Sequence, residues 1–121
     1  MNETVVQSAM QIILHAGDAR LACKQSLDAI ASGDFETAKV KLKEAQKKIT
    51  EAHRVQTDAI QEEMRCATDE SYEGEPTGYS LLFTHAQDTL MTIYSEINIA
   101  KQLLKIFTAY ENRIAALEKK D

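Results

Sequence analysis

Apolar positions along the chain fall into three long stretches with helical spacing, parted by two interruptions. From Glu3 to Ser32, the residues Val6, Ala9, Met10, Ile13, Ala16, Arg20, Cys23, Leu27 and Ile30 recur at the three- and four-residue spacing of one helical face. Ser32-Gly33-Asp34 then predicts a stop and a restart. Gly33 can take the left-handed conformation that ends a helix, and Asp34 can cap the next. So short a connection makes the first two helices antiparallel neighbours.

The second stretch, residues 35–65, carries the cleanest pattern. Phe35, Ala38, Leu42, Ala45, Ile49, Ala52, Gln56 and Ala59 alternate steps of 3 and 4, a seam whose small residues permit close helix approach. Residues 67–78 break the pattern with acidic and turn residues and no periodic apolar positions, which predicts a mobile loop. Pro76 closes it, and either Thr77 or Ser80 caps a third helix over residues 79–117.

That third stretch differs in kind. Between Tyr79 and Phe107 its apolar residues occupy far more than the single stripe a surface helix needs. In a three-helix monomer each helix buries one side only. The second apolar side predicts self-association through helix three, with its buried part in the first two-thirds because charges return beyond Tyr110. The chain therefore reads as one all-α domain, residues 1–121, an antiparallel three-helix bundle that assembles with copies of itself.

Composition supports this and removes several functions. One proline and four glycines in 121 residues leave few strand-reversing turns. A formal charge of −5 provides no basic face for nucleic acid, and Glu36, Glu44 and Glu51 interrupt the lysines between Lys39 and Lys48. No stretch approaches the ~20 apolar residues of a membrane span, and Met1-Asn2-Glu3-Thr4 lacks the basic start of a secretion signal. Cys23 and Cys66 have no metal-type spacing, and with no sign of export they read as free thiols. These features predict a cytoplasmic protein that neither enters membranes nor binds nucleic acid.

Candidate chemistry lies in the apolar third helix. From Gly78 to Ser95, His85 and Asp88 are the ionisable groups that matter near neutral pH, about 60° apart around a helix. An acid on a surface destined for burial is costly without a compensating cation or donors, and no lysine or arginine stands at helical spacing from Asp88. His15 and Asp18 repeat the same spacing in less apolar surroundings, with Arg20 near enough to satisfy Asp18. His53 sits beside the seam of helix two as a boundary residue. No Glu-x-x-His, no glycine-rich phosphate loop and no serine or cysteine with a base at motif spacing is present. An interface histidine with a purely structural role remains open for His85 on these grounds.

Ser80-Leu81-Leu82-Phe83-Thr84-His85-Ala86-Gln87-Asp88-Thr89-Leu90-Met91-Thr92 resembles the active-site helix of the lactose/cellobiose family of phosphotransferase-system enzyme IIA proteins. Ile12 to Arg20 and Gly33-Asp34-Phe35 are similar to that family's first helix and turn, and Glu51 to Thr57 to its second helix. The family pattern usually places histidine directly after the aspartate, where this chain has Thr89. The resemblance implies a homotrimer and a phosphoryl group received by His85 from the carrier protein HPr. His85 would pass it to a cysteine of the cognate enzyme IIB, while a membrane enzyme IIC handles the β-linked disaccharide. It also implies that the three copies of Asp88 hold a divalent cation, usually assigned as magnesium, near the three-fold axis. Imidazoles as a class titrate near ~6.5, so a histidine can attack phosphorus at neutral pH without a general base. Two other functions fit the same bundle: a structural adaptor, or a protein whose purpose is the divalent metal itself.

Overall fold

The computed structural model describes residues 3–71 and 80–120. Three α-helices account for nearly all of them: α1 (Glu3–Ala31), α2 (Phe35–Thr68) and α3 (Leu81–Glu118). They pack as an up-down-up bundle, α2 antiparallel to its neighbours.

The α1–α2 turn forms as its residues dictate. Gly33 adopts φ +78, and the Asp34 amide reaches back to the Ala29 carbonyl at 2.9 Å. Asp34 then caps α2, accepting from the Thr37 amide at 3.1 Å and the Thr37 hydroxyl at 2.6 Å. Those two hydrogen bonds, the hydroxyl's first, hold the Asp34 carboxyl below the usual carboxylate range.

The helical part of α2 extends beyond the expected residue 65, so residues 67 and 68 are helical rather than loop. Local side chains carry the extra turn. Glu62 pairs with Arg65, the Thr68 hydroxyl donates to the Met64 carbonyl, and Cys66 is buried. Residues 72–78 of the expected loop, and Tyr79 at the expected start of α3, lie outside the described residues. Of the two candidate caps for α3, Ser80 is the one seen at work: it accepts from the Phe83 amide at 3.1 Å.

The core is built from small residues between a few large ones. Ile12, Ile49, Leu90, Ile93 and Ile97 are essentially inaccessible, and each contributes roughly 1.5–3 kcal/mol of burial. Ala9, Ala16, Ala19, Ala45, Ala52 and Ala86 fill the spaces between helices at 0% exposure, allowing close approach. The α2 seam follows expectation, with Ala38, Leu42, Ala45, Ile49 and Ala52 buried. The face of α1 is rotated from expectation. Ile12, Ala19, Ala22 and Ala29 point inward, while Met10 and Leu27 are exposed. Ser26 is wholly buried and satisfied, its hydroxyl donating to the Ala38 carbonyl at 2.7 Å.

Helix α3 has two contrasting faces. Ala86, Leu90, Ile93, Ile97 and Ala100 meet the other helices. Opposite them runs an outer stripe: Leu81, His85, Asp88, Thr92, Ser95, Ile99, Leu103, Ile106, Tyr110, Ile114 and Leu117, exposed except for half-buried Leu103. Its average step matches the 3.6 residues per turn of a straight helix. A second face is therefore present, as expected. Its apolar part lies elsewhere than the sequence suggested: the polar residues occupy its first half, and the apolar ones run from Ile99 to Leu117, past Tyr110.

Candidate functional site

Capping by Ser80 sets the start of α3 and thereby the positions of the residues that follow. Ala86, at 0% exposure, pins the helix to the core, and His85 and Asp88 project from the opposite side into solvent. The first turn of α3 holds no acidic residue. The positive end of the helix therefore lies one turn from His85, a setting that favours an anionic substituent. The Thr89 hydroxyl donates to the His85 carbonyl at 2.9 Å. Its proton is committed to the backbone, so Thr89 does not take the place of a second imidazole.

Asp88 is exposed and forms no ion pair or hydrogen bond with another described residue. Among the described residues no group of three His, Cys, Asp or Glu is gathered to hold a metal ion. One chain thus contributes a single carboxylate. Its oxygens suit a hard divalent cation, but only several copies meeting at Asp88 make a donor set.

The competing pair on α1 separates. His15 is half-buried and faces α2: Glu51 is held below its usual range first by a hydrogen bond from Arg54, with a smaller contribution from His15. Asp18 is exposed, and Arg20 does not serve it. Arg20 instead spans to α3, donating through Nε and Nη2 to the two Glu96 oxygens at 2.9 and 2.7 Å. Sequence proximity favoured Asp18; the bidentate fork on a neighbouring helix prevails. His53 is a boundary residue as expected. Its Nδ1 lies 3.1 Å from the Ile49 carbonyl, and its ring meets Tyr94 edge-on at 4.8 Å.

Neither cysteine is poised as a nucleophile. Both are buried, and burial pushes the Cys23 thiol pKa up. No helix of the described residues is long and apolar enough to cross a membrane.

Among the described residues the bundle presents one exposed histidine, His85, on an outer helix face where a partner protein can reach it. Residues 7–108 match the family described as the PTS system, lactose/cellobiose-specific IIA subunit. The chain is 36% identical over 107 residues to the lichenan-specific phosphotransferase enzyme IIA component of Bacillus subtilis, covering 88% of this chain and 90% of that one. It superimposes on the cellobiose-specific enzyme IIA of Bacillus anthracis with a TM-score of 0.78 at 32% identity, over 93% of this chain and 95% of that chain. The Escherichia coli IIA(chitobiose) subunit, solved in complex with HPr, gives a TM-score of 0.71 at 27% identity, over 92% and 99%. This chain belongs to the lactose/cellobiose-specific IIA family and is a phosphotransferase component of a sugar phosphotransferase system.

Proposed function

We propose that the protein is a cytoplasmic phosphohistidine carrier in which His85 accepts a phosphoryl group from HPr and delivers it to the cognate enzyme IIB. The observation that carries this reading is the exposed His85 on α3, inside the family-matched residues and opposite the buried Ala86 and Leu90. A relative of the same fold was solved bound to HPr, which supports HPr as the donor. A ring nitrogen of His85 attacks phosphorus as the P–N bond to the donor histidine breaks. A thiolate of IIB then attacks as the His85 P–N bond breaks. Little covalent help is needed, because positioning and access by two proteins dominate such a transfer.

Exposure of His85 serves both encounters. The Arg20–Glu96 pair sets the level of α1 against α3, which puts exposed Met10 at about the height of His85 along the bundle. Met10 and Leu14 supply apolar surface on which a partner protein can seat. Relatives named for lichenan, cellobiose and chitobiose support a β-linked saccharide class without choosing the sugar.

The same reading includes a homotrimer through α3 with the three copies of Asp88 near its axis, holding a divalent cation of the magnesium type. The exposed apolar residues of the α3 outer stripe support the assembly. The lack of any cation partner for Asp88 among the described residues supports the carboxylate's role between copies. Bound there, a cation would offset repulsion among the carboxylates. Incubation with enzyme I, HPr and phosphoenolpyruvate, followed by intact-mass measurement, tests the carrier reading. One added phosphoryl group per chain is expected. An unchanged mass would leave the structural-adaptor and metal-binding readings.

A further inference from the structure

Between α2 and α3, at the end of the bundle away from His85, lies a groove with a basic rim. Buried Leu42 and half-buried Leu104 form its floor, and Lys39, Lys43, Lys101 and Gln46 line it. Its cavity of about 230 Å³ has room for one large apolar side chain. Lysines suit such walls, because their methylene stems cover apolar surface while the ammonium groups stay in water. Lys101 stands roughly 24 Å along α3 from His85 and about 140° round the helix from Asp88. The groove therefore belongs neither to the phosphoryl site nor to the outer stripe of α3.

The charges around it are unbalanced. Along the sequence Glu36, Glu44 and Glu51 alternate with the lysines of α2, but the fold parts them. Lys41 takes Glu44 at 3.5 Å, and Arg54 takes Glu51 at 2.8 Å. Within the groove Lys39 alone is paired, with Glu36 at 3.3 Å, a carboxylate 88% exposed. Lys43 and Lys101 form no ion pair with a described residue, and neither does Lys105, one turn beyond Lys101 on the same flank. Positive charge thus gathers here in a chain whose net charge is −5.

An apolar floor inside a rim of ammonium groups selects an occupant with both properties. A free phosphate would leave the floor wet, and a nucleic-acid backbone needs a longer run of cations than one groove offers. A peptide satisfies both demands when one apolar side chain fills the cavity and carboxylates beside it reach the lysines. We propose that this groove binds an acidic peptide segment of a partner protein, anchored by an apolar side chain on Leu42 and Leu104 and held by Lys43, Lys101 and Lys105. Such a segment sits on the protein while His85 stays open to its donor and acceptor.

Fluorescence anisotropy tests it, with a short labelled peptide of glutamates around a central phenylalanine titrated by the full chain. Saturable binding is expected. Lys43→Glu with Lys101→Glu should weaken it at least tenfold, and the milder Lys43→Gln with Lys101→Gln several-fold. Serine in place of the phenylalanine should also weaken binding several-fold, and added salt should weaken it further. HPr should phosphorylate both variants as it does wild type; a loss there would overturn the groove's independence of the relay. Binding that survives the charge reversal, or that ignores the phenylalanine, would overturn the groove as its seat. No saturable binding would overturn the proposal. So would tighter binding to vesicles of anionic phospholipid or to a single-stranded oligonucleotide, which would make the lysines a surface for polyanions.

Discussion

Along the outer stripe of α3, the first half presents His85, Asp88, Thr92 and Ser95, and the second presents Ile99, Leu103, Ile106, Tyr110 and Ile114. Both halves share one helix and one direction, and both are backed by the same kind of buried face as far as Ala100. They differ in what they offer to a neighbour. The first half offers a nucleophile and an acid, groups that must stay reachable or find a cation. The second offers area that gains by being covered. In the proposed trimer Asp88 and the apolar half both turn toward the axis, and His85, about 60° round the helix from Asp88, is the group that stays turned toward partner proteins.

The largest effect that sharpens this contrast concerns His85. His85→Ala should reduce phosphorylation by HPr to background while helicity and assembly stay as in wild type, because an exposed side chain contributes little to the core. His15→Ala should still be phosphorylated, since His15 is turned toward α2. The reverse outcome in the intact-mass experiment would show that the wrong His-x-x-Asp carries the phosphoryl group.

Next in size is the difference between the inner and outer faces. Leu90→Ala removes a side chain with 0% exposure and should lower the unfolding free energy by ~2–5 kcal/mol. Ile114→Ala, at an exposed position near the end of α3, should change the urea midpoint of dilute protein by no more than ~0.5 kcal/mol equivalent. Equal losses in the two variants would mean that the end of α3 packs against its own bundle.

Asp88 tests the polar half directly. In a trimer, three carboxylates near the axis persist by binding a cation or taking up protons. Asp88→Leu removes the repulsion and desolvation, a replacement that is often neutral or stabilising by ~1–4 kcal/mol. The variant should remain assembled, lose a bound divalent ion, and melt no lower than metal-stripped wild type. EDTA should lower the melting temperature of wild type only, because only a protein that binds the ion gains from it. A variant that falls to monomers, or still responds to EDTA, would give Asp88 a different role.

How far these features could be read before the fold was known varies with the residue. The α2 seam was legible from Ala38 to Ala52, where large and small residues alternate at strict helical steps, while Phe35, Gln56 and Ala59 at its ends are only half-buried. The α1 face was not. Ranking by hydrophobicity picks Met10 and Leu27, whereas close packing of three helices selects Ala16, Ala19 and Ala22. His85 and Asp88 were legible from the motif in which they stand, and their outward direction follows from the burial of Ala86 and Leu90 on the opposite side of the helix. Exposed Ile114 and Leu117 were left out of the expected apolar face because Glu111, Arg113 and Glu118 stand among them in sequence, though round the helix from them in space. The Arg20–Glu96 pair was invisible, its members being 76 residues apart.

That pair marks the place where the polar half of the α3 stripe gives way to the apolar one, and it carries the smallest and most pH-dependent effect. With side chains 51% and 42% exposed, the contact contributes roughly 0.2–1 kcal/mol. The hydrogen bonds from Arg20 lower the Glu96 pKa in the folded chain, outweighing a smaller opposing effect of burial. Between the folded and unfolded values the unfolded chain holds the proton more tightly, so acid favours unfolding there. The stabilisation is fully present above the ordinary glutamate range and fades as pH falls through the depressed folded value. Glu96→Gln should therefore lower the urea midpoint slightly at neutral pH, and the gap to wild type should close in acid and shrink with added salt. A gap that persists unchanged below the carboxylate range would assign the loss to packing of the Glu96 stem against α1 rather than to its charge.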